Sequence, residues 1–197
     1  MKYILTLIIA IAAGPALAAS GTDPTWPCIQ RKQPHLSLGQ VWAGPVPDEE
    51  TAKLVKDPEI ADLADMLEQR RLPLEEAEAE IAEFAKQADA SGLTALMVAI
   101  FERIEPERSA IIAGIARYGE SQVALSKKIE ARRARMAELE SAENPDFDAI
   151  DAEEEALDWD QRIFIERQQS LTYVCETPVL LEQRAFALGR ALSGHID

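Results

Sequence analysis

Residues 111–139, IIAGIARYGESQVALSKKIEARRARMAEL, carry the pattern that decides the fold. Ile111, Ile115, Tyr118, Gln122, Leu125, Ile129, Arg132, Met136 and Leu139 recur in steps of four and three. That is the spacing of a seam along one side of an α-helix, with two polar interruptions at Gln122 and Arg132. Proline is favoured at the first helical position, so the pattern predicts a helix opening at Pro106 and ending near Ser141. At 1.5 Å per residue such a helix is about 54 Å long. A rod of that length cannot bury its own stripe.

Its partner follows at once. Glu143-Asn144-Pro145 reads as a loop, an N-cap and a first-position proline. Beyond it Ile150, Leu157, Phe164 and Leu171 recur at sevens, with Ala149, Ala156, Ile163 and Ser170 beside them. A turn near residue 143 pairs positions whose numbers add to about 286. It sets Met136 against Ile150, Ile129 against Leu157, Gln122 against Phe164 and Ile115 against Leu171. The same register faces the basic run Lys127, Lys128, Arg132, Arg133, Arg135 with Asp151, Glu153, Glu154, Glu155, Asp158 and Asp160. The two runs are expected to be spent on each other.

Working outward, Thr177-Pro178 reads as the start of a last helix, or a kink, carrying Leu181, Ala185, Leu188 and Leu192. Upstream, Asp57-Pro58-Glu59 combines an N-cap, a first-position proline and an acid at the positive dipole end. A second helix after Pro73 places Leu74, Ala77, Ile81, Phe84 and Ala88 on one stripe, and Ser91-Gly92 separates it from a third, Leu93 to Ile104. Residues 19–47 differ: Pro24, Pro27, Pro34, Pro45 and Pro47 deny the backbone a helical ladder. They predict an extended arm anchored by Trp26 and Trp42.

The expected class is therefore all-α. It comprises a signal peptide (1–18), a Pro/Trp-rich arm (19–47), a small helical bundle (48–105), a long antiparallel coiled-coil-like hairpin (106–176) and a C-terminal helix and tail (177–197). The signal peptide rests on Lys2, the apolar run Ile4 to Ala13 and the small residues of Ala16-Leu17-Ala18. The run is too short to span a bilayer, which takes roughly 20 residues. Its simplicity points to bacterial export and the periplasm. Cys28 and Cys175 are then expected to form a structural disulfide pinning the arm to the hairpin base, the alternatives being an intermolecular bridge and reactive or metal-binding thiols.

A net charge of −15 argues against nucleic acid or an anionic membrane as partner. Asp146-x-Asp148-x-x-Asp151 lacks the glycine and terminal Glu of a calcium loop. No zinc-protease, dithiol, nucleophile-elbow or phosphate-loop motif occurs, so neither an enzyme nor a cofactor is expected. Three functional readings stand. The leading one is a non-catalytic interaction or scaffold protein docking on another envelope protein or on a second copy of itself. The alternatives are a small-ligand or metal-binding protein, its site between the Trp-bearing arm and the bundle, and a chaperone for exported clients. The residues nominated as partner or ligand contacts are Trp26, His35, Trp42, Gln122 and Arg132.

Overall fold

The computed structural model describes residue 23 and residues 25–196, so the expected signal peptide lies outside the described residues. The regular structure among them is helical throughout: α1 (Leu38–Val41), α2 (Glu49–Leu54), α3 (Pro58–Leu67), α4 (Leu74–Phe84), α5 (Ala90–Glu140) and α6 (Phe147–Ser193). No helix among the described residues is long and apolar enough to cross a membrane.

Four helices start on an aspartate. The side chains of Asp48, Asp57, Asp89 and Asp146 accept from the backbone N–H of Thr51, Glu59, Gly92 and Ala149, satisfying donors that the first turn leaves free. Asp89 accounts for one departure from expectation. Because it caps α5, Ser91-Gly92 lies inside the first turn of that helix and separates nothing. One turn of helix, α1, also interrupts the stretch expected to be extended. There the Gln40 side chain accepts from the Ser37 backbone N–H at 2.8 Å.

The larger departure concerns proline. The helix expected to open at Pro106 opens at Ala90 and passes straight through it, and α6 likewise passes through Pro178. An internal proline removes one backbone hydrogen bond and costs about 3 kcal/mol. The packing on either side outweighs that. Ile100, Ile104, Arg108, Ile112 and Ile115 form one buried stripe across Pro106, and Cys175 and Leu181 are buried on either side of Pro178. Pro106 itself is exposed, so the carbonyl it strands can reach water. The boundaries drawn at 105/106 and 176/177 therefore fall inside continuous helices.

α5 and α6 pack against each other and run antiparallel. Bonds between them join Arg108 to Glu182, Tyr118 to Arg167, Gln122 to Phe164 and Arg132 to Glu153, ascending one helix while descending the other. The main core lies at one end of the pair. Leu93 to Ile104 of α5 and Leu181, Ala185, Leu188 and Leu192 of α6 close over Ile60, Ala64 and Leu67 of α3 and Ala77, Ile81 and Phe84 of α4. Arg184 ties the same end together by donating to the carbonyls of Leu67 at 2.7 Å and Leu72 at 2.9 Å. Toward the other end burial thins. Past Ile115 only Gly119, Gln122 and Ile129 of α5 are buried, and before Leu171 only Asp160 of α6.

Two helical glycines mark where the N-terminal segment lies down. A Cβ on Gly119 would sit 1.8 Å from the Thr25 carbonyl oxygen, and one on Gly189 would sit 2.0 Å from that of Val41. Gly114, one turn before Gly119, has only the Arg117 guanidinium within 4 Å, at 3.9 Å. Gly114→Ala should therefore stabilise the protein by about 0.5–1 kcal/mol through helix propensity alone. A urea melt showing a loss instead would mean that this face of α5 is covered.

Candidate functional site

Two regions along the helix pair hold four of the five nominated residues, and Trp42 lies apart in the main core. The first is the base, where the segment 25–37 crosses α5 and α6. Cys28 and Cys175 are disulfide-bonded with their Cα atoms 5.7 Å apart, and no cysteine among the described residues is free. Gln30 donates from its side chain to the Cys175 carbonyl. Trp26 donates from Nε1 to the Gln30 carbonyl at 2.6 Å, closing the loop on itself, and Lys32 lies 5.9 Å from its ring centroid. Asp23 accepts from Lys32 and from Thr25, which hold its carboxyl at about 2.

His35 brings its Nδ1 to 3.0 Å from Ser109 Oγ and 3.2 Å from Glu105 Oε1, and remains largely exposed. Glu105 is the one carboxylate it pairs with among the described residues. No group of three or more His, Cys, Asp or Glu among the described residues could hold an ion. Trp42 is a core residue, 7% exposed, with its indole N–H bonded to Pro45 O at 2.8 Å, so it anchors the chain.

The base contains a residue the sequence reading did not nominate. Arg108, only 3% exposed, donates to Gln33 O at 3.1 Å and to Glu182 Oε2 at 3.2 Å, while its buried Nε has no hydrogen-bond partner. With Trp26, Arg31, Gln33, Ile112, Phe186 and their neighbours it lines a cavity of about 460 Å³. The signal was present. Arg108 stands four residues after Ile104 and four before Ile112, a cation on an apolar stripe. Reading Pro106 as a helix start hid it in a supposed first turn.

The second region is the outer part of the pair. Gln122 is buried, donates to the Phe164 carbonyl at 3.2 Å, and leaves its Oε1 without a partner. That bond joins two positions the expected register had set against each other. Arg132 reaches Glu153 at 2.8 Å and Asp160 at 2.6 Å, and Lys128 reaches Asp160 at 3.0 Å. The Lys128 ammonium, followed by Arg132, holds the Asp160 carboxyl below its ordinary 3.8, against burial that pushes it up. A depressed folded-state pKa contributes stability that is full above 3.8 and lost as pH falls through the folded value. Asp160→Asn should therefore be less stable than the parent at neutral pH, with the gap closing below pH 3.8. Denaturant melts across that range in which the gap widened on acidification would contradict this.

The expected mutual neutralisation of the two charged runs holds only in part. Arg133 finds Gln161 at 3.3 Å, and Arg135 finds Glu138 on its own helix at 3.4 Å. Asp151, Glu154, Glu155 and Asp158 make no ion pair with the described residues. The reason is angular: one helix face meets its partner, and a run of consecutive acids points around the whole circumference.

The outward side of α6 also carries apolar groups. Trp159 is 60% exposed, Tyr173 77% and Leu180 47%. Their spacing of 14 and 7 residues sets them on one face over about 31 Å, away from buried Leu171 and Cys175. Comparison with protein-family models, with curated proteins and with solved structures found no match to this chain.

Proposed function

We propose that this chain is a non-catalytic interaction or scaffold protein of the periplasm, exported by a cleaved signal peptide at residues 1–18. Its two long helices act as a coiled-coil-like hairpin that docks on another envelope protein. The observation that carries this reading is the stripe Trp159, Tyr173 and Leu180 on the solvent side of α6. Large apolar side chains left partly in water are unfavourable on a helix face without a partner, and aromatic residues dominate binding energy at protein interfaces. The thin burial between Gln122 and Asp160 supports it too. That segment adds little to the core, so its reach is its use.

The test is the triple variant Trp159→Ala, Tyr173→Ala, Leu180→Ala. Alanine keeps these positions helical, so circular dichroism should be unchanged. Partner recovery from a cross-linked envelope fraction should fall at least about tenfold, since hot-spot aromatics are each worth about 2 kcal/mol or more. Undiminished recovery would refute the docking face.

A further inference from the structure

We infer that the cavity between Trp26 and Phe186 is a binding site for a small organic carboxylate with an apolar body. This is independent of the docking face, which lies elsewhere on α6. Trp26, Ile112, Pro178, Val179 and Phe186 supply apolar wall, and about 460 Å³ falls in the roughly 300–1,000 Å³ range of small-ligand pockets.

The charge of the lining departs from that of the chain. In a protein of net charge −15, this cavity is lined by two arginines, Arg31 and Arg108, against one acid, Glu182. Arg108 is already paired with Glu182 at 3.2 Å and lies 3.9 Å from a Glu105 carboxylate oxygen, so Arg31 is the cation of the lining that carries the excess charge. Arg31 is exposed and makes no ion pair with the described residues. Arg108 is the reverse, an almost fully enclosed guanidinium held in place by Gln33 O and Glu182, with Nε left undonated. A carboxylate entering the cavity pairs with the guanidinium of Arg31, and Arg108 stands behind it as the second cation of the wall. A cationic ligand would meet two guanidiniums. A neutral one would forgo both.

The site also explains the effort spent on the loop 25–33. The Cys28–Cys175 bond, the Trp26–Gln30 contact and the Gln30–Cys175 contact fix the wall that carries Trp26 and Arg31, so the cavity is preformed.

The experiment titrates the oxidised full chain with phenylacetate, benzyl alcohol, benzylamine and acetate. It follows heat and the indole N–H resonances of Trp26 and Trp159. The expected result is saturable phenylacetate binding that moves Trp26 and leaves Trp159 still. Benzyl alcohol and acetate should each bind at least about tenfold more weakly, and benzylamine should not bind. Arg31→Glu, on an exposed position that leaves the fold intact, should weaken phenylacetate about ten- to a hundredfold, the worth of a charge-assisted hydrogen bond. Val179→Trp should fill the space and abolish binding. The inference is overturned if phenylacetate fails to saturate or if benzyl alcohol or benzylamine binds equally well. It is also overturned if Arg31→Glu has no effect, or if Trp26 and Trp159 respond alike.

Discussion

Breaking the Cys28–Cys175 bond, by reductant or by Cys28→Ser with Cys175→Ser, should lower the free energy of unfolding by about 2–5 kcal/mol. The bond joins residues 147 apart, and the loop-closure estimate for that length is about 5 kcal/mol. The loss should be local as well as global. Segment 25–37 keeps other ties after reduction: Arg108 to Gln33 O, Ser109 to Pro34 O, and His35 to Glu105. It should stay docked yet open more often, exposing the bond after Arg31 and Lys32 to trypsin sooner than any bond in α3 to α6. Denaturant melts and timed digestion, each with and without reductant, check both parts. An unchanged midpoint would show that the crosslink constrains nothing.

The second large effect belongs to the two glycine notches. Gly189→Ala forces a methyl against the Val41 carbonyl at a junction where Val41 and Trp42 are core residues, so neither side can withdraw. Overpacking of this kind costs about 1–3 kcal/mol, against roughly 1 kcal/mol returned by alanine's helix propensity. Gly119→Ala presses on the Thr25 carbonyl instead, and here the disulfide decides the outcome. With the bond intact the segment cannot lift away and the strain is retained. With the bond broken, residues 25–28, which precede the remaining ties at 33–35, can shift off Gly119 while the rest of the segment stays docked, and the substitution should approach neutrality. The two changes should therefore be non-additive by about 0.5–3 kcal/mol, as coupled neighbours are. Additive losses in a double-mutant cycle would separate the notch from the crosslink.

Much of the architecture was legible in the sequence because it rests on periodicity, which survives local exceptions. The step of three and four from Ile111 to Leu139 and the heptads from Ile150 to Leu171 were enough to call two long helices. The opposition of Gln122 to Phe164 followed from one assumed turn. Proline was where local rules misled. At Pro106 and Pro178 the stripe continues on both sides, and tertiary packing overrode a penalty of about 3 kcal/mol. That error concealed Arg108, whose meaning depends on lying mid-helix and facing inward. The contacts of Arg184 with the carbonyls of Leu67 and Leu72 had no signal at all, since more than 110 residues separate the partners. Charge was legible as composition but not as pairing. Consecutive acids at 153–155 cannot all face one seam, and only Glu153 among them does. The nominated Trp26 and Trp42 looked alike and diverge, one lining a cavity and the other sunk in the core.

The docking proposal is tested most directly by a photo-crosslinking amino acid placed at Tyr173, with Glu75 on the exposed first turn of α4 as the matched control. Irradiation in the intact envelope should give an adduct of one fixed mass from position 173 and none from position 75. The position-173 adduct should vanish when Trp159 and Leu180 are both alanine. Adducts from both positions alike, or none from position 173, would contradict the account.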